Sequence, residues 1–389
     1  VHRRDFRRLI PETMAIAVPG TFNFDDAVVI NGLGVLDNPN LALVHPTMGA
    51  SALPLSPFGG VDARALRDAK ASGLTAFNLT LGPVAGNADP FEATLRDIAG
   101  WDDFILSHPL ALRKVHGAAD ITAAKRHGQV GVIYGMQNTT ALGDDLDRVQ
   151  LLARLGVRII QLTYNVRNAV GDGATVPDDR GLSLFGAQVV ERLQAEGVLV
   201  DLSHSSERTC VDALAMARRP MVISHSGCRA VANHPRNKSD AELRRLADGG
   251  GVIGIYFMPY LRLSGQPHAS DLLAHVEHAL QICGEDHVGI GTDGGITHFD
   301  DPSAHRQRLQ ADIEQRQAAG IGAPGETAEV GLYLPDLCGV NQFRRLAELL
   351  SARGHGDSRI AKILGANLAR VTGHAWRWAF SATLQGTTS

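Results

Sequence analysis

Cysteine is scarce in this chain of 389 residues. Cys210, Cys228, Cys283 and Cys338 are the four present, scattered without a Cys-x-x-Cys pair. They read as reduced, partly buried thiols, leave no disulfide framework, and say little about compartment. Aromatic residues make up only 5% of the chain, and charge of neither sign dominates, the formal net charge being −4. Without a basic stripe or an aromatic platform, nothing invites nucleic acid. No apolar run approaches the ~20 residues that a membrane-spanning helix needs. Linkers, low-complexity segments and internal repeats are missing too. What remains, 44% hydrophobic residues and 42 glycines, is enough to bury the core of one barrel-sized domain.

Apolar runs suited to buried parallel strands occur at Ala27 to Leu33, Leu74 to Leu81, Val130 to Met136, Val157 to Thr163, Gly197 to Ser203, Met221 to Ser224, Gly251 to Tyr256 and His287 to Thr292. Amphipathic stretches alternate with them: Asp62 to Ser72, Asp144 to Leu155, Leu184 to Ala195, Glu207 to Ala217, Asp240 to Ala247 and Ala269 to Cys283. Several open on Ser or Asp and close on Gly, as helices do. Eight such units in order predict an α/β fold, a (β/α)8 TIM-type barrel with helical insertions, over a doubly wound open sheet. Two long insertions, Gly82 to Gly117 and Thr297 to Leu337, fall outside the repeat and are expected to form helices or a lid over the site. Val340 to Arg353 and Arg359 to Val371 should close the outer layer.

The chemistry concentrates at strand ends. Two apolar runs finish in Ser-His, at His204 and at His225, and a later one finishes in Thr-Asp at Asp293. One histidine after a strand is more often a hydrogen-bonded loop residue than a ligand. Two in the same context, with a carboxylate at a third strand end, point to a metal or catalytic site at the carboxyl face of the barrel.

The ordered series Val200-Asp-Leu-Ser-His204, Val222-Ile-Ser-His-Ser226, His234-Pro-Arg-Asn237 and Val288-Gly-Ile-Gly-Thr-Asp293 resembles the membrane (renal) dipeptidase family of zinc metallopeptidases, in the amidohydrolase superfamily. The resemblance runs on to Ile363-Leu-Gly-Ala-Asn-Leu-Ala-Arg370. It implies a hydrolase of small amides or dipeptides, with residues 27–380 as a single metallo-dependent hydrolase domain, 1–26 as an amino-terminal extension and 381–389 as a flexible tail. The chain also departs from the family. Binuclear members carry Asp-Gly-His-x-Asp after the first strand, where Ile30-Asn-Gly-Leu-Gly-Val-Leu36 puts Leu33 and Val35 at the ligand positions. Gln137 stands for the bridging glutamate and Tyr164 for a further histidine.

The implied site is therefore reduced. His204 and His225, with Gln137 through its amide oxygen, would hold one divalent ion, zinc by resemblance, and weakly, because no ligand is anionic. A second ion would need a substitute donor such as His45. Asp293 becomes the general acid/base and Tyr164 its partner in catalysis. Arg236 is expected to bind a substrate carboxylate, and Asn165 and Tyr256 to line the substrate site; packing at the barrel rim is the bland alternative for Tyr164, Asn165 and Tyr256. Ser203 and Ser224 are candidates to orient the rings. Two other readings stay open: a binding protein that has lost the chemistry, and a metal-independent lyase or isomerase using Asp293 and Tyr164. The expected partner is a small-molecule or dipeptide substrate, with no nucleic acid, no membrane span, and a homodimer left open. At the amino terminus, His2-Arg-Arg-Asp-Phe-Arg-Arg-Leu9 resembles a twin-arginine signal, but Pro11 and Glu12 break the apolar region that should follow. A plain basic tail and a cytoplasmic protein are favoured, with a periplasmic one if the signal works.

Overall fold

The computed structural model describes residues 22–41, 60–86 and 89–376. The twin-arginine-like stretch, His45 and the tail from Ser381 lie outside the described residues. Nine strands run in chain order: β1 Ile30–Asn31, β2 Ala76–Thr80, β3 Leu112–Lys114, β4 Val130–Met136, β5 Val157–Gln161, β6 Leu199–Asp201, β7 Val222–Ser226, β8 Val252–Ile255 and β9 Val288–Ile290. All pair in parallel, and contacts of β1 with β9 and of β2 with β4 close eight of them into a barrel. The eight apolar runs are the eight barrel strands. Val130–Met136 is buried along its whole length, as expected of a strand covered on both faces.

The eight-strand barrel is as expected, and one further short strand that the apolar runs did not announce accompanies it. β3 lies inside the first insertion and pairs with Val130–Val132, the first half of β4, while β5 pairs with Tyr134–Met136. That insertion therefore forms a helix, as expected, and adds a short strand along the edge of β4 in place of a lid. Its helix Pro90–Ser107 buries Trp101 and Ile105, and Asp102 accepts from Lys114 Nζ at 2.6 Å and Tyr134 Oη at 2.8 Å, fastening helix, β3 and β4 together. Leu-Arg-Lys has no apolar run, so nothing in its pattern announces a strand.

Helix starts follow the capping chemistry. Asp62, Ser183, Ser206 and Ser239 each accept a backbone N–H of the first turn, and Asp89 and Asp301 do so ahead of Pro90 and Pro302. The last predicted helix is broken: a π-turn at Lys362–Ala366 separates Asp357–Ala361 from Asn367–Ala375. Gly365 sits there because a Cβ would come within 2.4 Å of the Val28 carbonyl oxygen, so the helix backbone lies directly against the run into β1.

Two apolar cores result. One fills the barrel interior with Ile30, Ala76, Ile133, Ile159, Leu199, Val222 and Val252, closed at the bottom by Leu368, Val371 and Trp376. The other lies between the strands and the surrounding helices. Near the carboxyl ends the interior turns polar. The Ser224 carbonyl oxygen points inward, where a Cβ on Gly254 or Gly291 would come within 2.1 and 1.8 Å of it. Glycine at those two positions lets the β7 backbone carry Ser224 and His225 into the barrel mouth.

Candidate active site

β6 and β7 are neighbours in the ring, which brings the two imidazoles together. His204 follows the end of β6 and His225 lies within β7; both are buried, and their Nε2 atoms are 3.0 Å apart. Hydrogen-bond accounting fixes the protons. Asn165 donates its amide to the Ile321 carbonyl at 2.8 Å, so its Oδ1 faces His204 Nδ1 at 2.7 Å as an acceptor. Ser224 gives its one hydroxyl proton to Asp201 Oδ2 at 2.5 Å, so its oxygen accepts from His225 Nδ1 at 2.7 Å. Burial first, then the charge of Arg236, holds both rings far below the ordinary histidine pKa and hence neutral. A neutral imidazole carries one N–H, and here both sit on Nδ1. The two Nε2 atoms therefore present bare lone pairs to each other, a repulsion that a shared cation removes.

Asp201 anchors this arrangement. Its Oδ1 accepts from the backbone N–H groups of Ser203 and Ser224 at 3.0 Å each and from Ser203 Oγ at 2.5 Å, and its Oδ2 from Ser224 Oγ. Burial pushes the carboxyl above its usual range while these four hydrogen bonds favour the ionised form. Ser203 also accepts from the His225 backbone N–H at 3.1 Å. Both serines thus do orienting work, and the carboxylate behind them fixes the tautomer of His225.

Asp293 is the one non-glycine among the described residues with a left-handed backbone, at φ 56°. Such a conformation costs of order 1 kcal/mol or more and persists where surrounding structure enforces it. Its N–H donates to the Leu33 carbonyl at 2.9 Å, pinning the turn to the chain beyond β1. Desolvation pushes its carboxyl up to about 6, against the charges of Arg236 and Arg316, although the residue keeps partial solvent access.

The other predicted residues divide. Arg236 is buried, its Nη1 donating to the Ser203 carbonyl at 2.6 Å. Tyr164 stacks on His204 with ring centroids 4.1 Å apart. Its hydroxyl, pushed by burial up to about 12, stays protonated. Asn165 commits both ends of its amide to His204 and Ile321. Tyr256 is fully buried and donates to Asn237 Oδ1 at 2.5 Å. Gln137, just past β4, donates Nε2 to Thr80 Oγ1 at 2.8 Å and leaves its Oε1 uncommitted.

Sequence reasoning missed what the second insertion contributes. Its helix Pro302–Ala318 ends near the site with Arg316, which pairs with the buried Glu326 at 3.1 Å. Glu326 in turn accepts from Tyr260, whose ring stacks on His234 at 4.5 Å, and His234 meets the Pro324 carbonyl at 2.9 Å. With the Ile321–Asn165 bond, these contacts fasten the insertion over the β5–β8 side of the mouth. No motif marks Arg316 or Glu326; only the burial of Glu326 and its pairing with Arg316 do.

The donor set fits one divalent ion at His204 and His225, whose neutral, buried nitrogens converge as bare lone pairs. Among the described residues, the positions that the resemblance assigns to a second ion offer it no donor. Leu33 is buried, Val35 is 45% exposed, and neither has a donor atom. No group of three or more His, Cys, Asp or Glu side chains able to hold a metal occurs among the described residues.

The model of the membrane dipeptidase family, peptidase family M19, matches residues 54–320. Dipeptidase tcpJ of Claviceps purpurea (strain 20.1) is 30% identical over 264 residues, 67% of this chain and 54% of that protein. Dipeptidase verJ of Clonostachys rogersoniana is 30% identical over 256 residues, 65% of this chain and 58% of that one. The chain thus spans little more than half the length of these curated relatives. Among solved structures, an amidohydrolase from Pseudomonas aeruginosa superposes with a TM-score of 0.74 at 30% identity, over 91% of this chain and 98% of that one. A metallo peptidase from Rhodobacter sphaeroides, liganded with a phosphinate mimic of the dipeptide L-Ala-D-Ala, shares the fold, with a TM-score of 0.68 at 21% identity over 90% of this chain and 100% of that one. Among the described residues no helix is long and apolar enough to cross a membrane.

Proposed function

Because the chain belongs to the membrane dipeptidase family, peptidase family M19, we propose that it is a metal-dependent hydrolase of small, dipeptide-like amides that uses one divalent ion held by His204 and His225, with Gln137 as a weak third donor. The observation that carries this reading is the approach of His204 Nε2 and His225 Nε2 to 3.0 Å while each ring commits Nδ1 to a neighbouring oxygen. The dipeptidase names of the two fungal relatives support the substrate class. Bound there, a divalent ion supplies Lewis acidity, polarising a scissile carbonyl and acidifying water.

The chain's own residues supply the rest. Arg236, fixed by one bond to the Ser203 carbonyl, offers its remaining N–H groups to a substrate carboxylate. Asp293, with a pKa raised to about 6, takes a proton from the attacking water and returns it to the leaving amine. The protonated Tyr164 hydroxyl donates to the carbonyl oxygen as charge develops on it. The second insertion, fastened through Asn165, His234 and Tyr260, limits water at the mouth.

The missing family ligands favour one competing reading, a binding protein with the pocket but without turnover. Protein purified without chelator and assayed on a dipeptide panel with and without added zinc separates the two. The expected result is zinc-stimulated hydrolysis that falls at least about 100-fold in His204→Ala. Zinc binding without hydrolysis of any dipeptide favours the binding protein. Undiminished hydrolysis in His204→Ala overturns the metal mechanism in favour of acid/base chemistry through Asp293.

A further inference from the structure

A cavity of about 430 Å³ lies beside the turn that carries Asp293, apart from the two histidines. Its volume falls in the range of small-molecule sites, and its walls follow their pattern, apolar with a few convergent polar groups. Phe257, Phe299 and Tyr333 supply aromatic surface. Phe299 is held in place, stacked on His305 at 4.2 Å and edge-on to Tyr333 at 4.9 Å.

Two polar groups in this cavity are unexplained by the fold. The Asp37 carboxylate makes no hydrogen bond and no ion pair among the described residues. It lies against the turn, since a Cβ on Gly295 would be 2.8 Å from its Oδ1. Arg308 acts on it only through space and donates Nη1 to the Leu41 carbonyl at 3.3 Å. Desolvation raises the Asp37 carboxyl to about 6, the behaviour of a carboxylate deprived of water without a partner. The Thr297 hydroxyl oxygen, which also lines the cavity, is buried without a hydrogen-bond partner. Native structures seldom leave buried polar groups unpaired.

We propose that this cavity is a binding site for a primary amine carried on a flat apolar body. The ammonium pairs with Asp37 and donates to Thr297 Oγ1, while the body lies against Phe257, Phe299 and Tyr333, whose faces also attract a cation. An anion would instead meet the unpaired Asp37 carboxylate, with Arg308, His298 and His305 as the basic side chains of the lining.

The probe is 2-phenylethylamine, titrated calorimetrically into the full chain at pH 7.5 with no dipeptide present, so that the outcome does not depend on hydrolysis. The amine should bind, and Asp37→Asn should weaken it at least about tenfold, the effect of losing a charge-assisted hydrogen bond. Leu332→Trp, which fills the cavity from its rim, should weaken it without touching the carboxylate. 2-Phenylethanol and 3-phenylpropionate should bind at least about tenfold more weakly than the amine. Asp37→Asn keeps the side-chain shape and removes a desolvated charge, so thermal melting should show it folded. The proposal is overturned if the amine does not bind to folded protein, if either variant binds it as tightly as the parent, or if phenylpropionate binds as well.

Discussion

The two sides of the barrel mouth are built differently. On the β6–β7 side the imidazoles are held by a connected network: Asp201 holds Ser203 and Ser224, Ser224 holds His225, Asn165 holds His204, and Arg236 is pinned to the Ser203 carbonyl. On the β1–β4 side, the positions that the family resemblance assigns to ligands hold Leu33, Val35 and Gln137, and of these side chains only the last has an oxygen to offer. In the proposed reading, the β6–β7 half of the site rests on a connected network, and the other half supplies no negative charge. Its chemistry should therefore depend on the β6–β7 network and on Asp293, with metal affinity limited by the other side.

Breaking the intact side gives the largest effects. Asp293→Asn should lower kcat by about 100-fold or more, the usual range for a lost general base, while asparagine tolerates the left-handed backbone. In the parent, kcat should rise with pH through about 6 as Asp293 ionises. Stability should move the other way. The folded-state pKa is raised from 3.8 to about 6, so the cost of burying this carboxylate is present in full above that range and relieved as pH falls through it. Removing the charge should stabilise the protein at neutral pH by roughly 1–2 kcal/mol after discounting for partial solvent access. A melting scan and a pH–rate profile check both signs.

Ser224→Ala tests the network one bond away. Without the hydroxyl between Asp201 and His225 Nδ1, the ring loses what fixes its tautomer, and divalent metal affinity should drop about 10- to 100-fold in competition with a chelator. Equal affinity would mean that His225 does not act through this contact. A smaller change should come from mending the depleted side. Gln137→Glu adds the missing anionic donor, and the Thr80 hydroxyl can turn to donate to it. Zinc should bind about tenfold more tightly, and hydrolysis should depend less on added metal. No change would mean that Gln137 does not face the ion.

The same contrast explains what the sequence revealed. Barrel strands were legible because parallel strands buried on both faces are nearly continuous apolar runs, as in Val130–Met136. His204, His225 and Asp293 stood out because each breaks such a run at its end. β3 was not legible, since Leu112–Lys114 is a strand only through its pairing with β4. Asp201 was legible in principle, because a carboxylate inside the run from Val198 to Leu202 must be buried and needs donors. Arg316 and Glu326 carry no such signal. They come from an insertion whose helix is polar on nearly all faces, with only Leu309 and Ile313 buried, and they reach the site through tertiary packing alone.

Metal stoichiometry tests the central claim most directly. Elemental analysis of the full chain at equilibrium with excess zinc, corrected for the free ion by dialysis, with anomalous scattering from its crystals, should show one ion per chain, seated between His204 and His225 and lost in His204→Ala. Two well-occupied ions, or one bound elsewhere, would contradict the account.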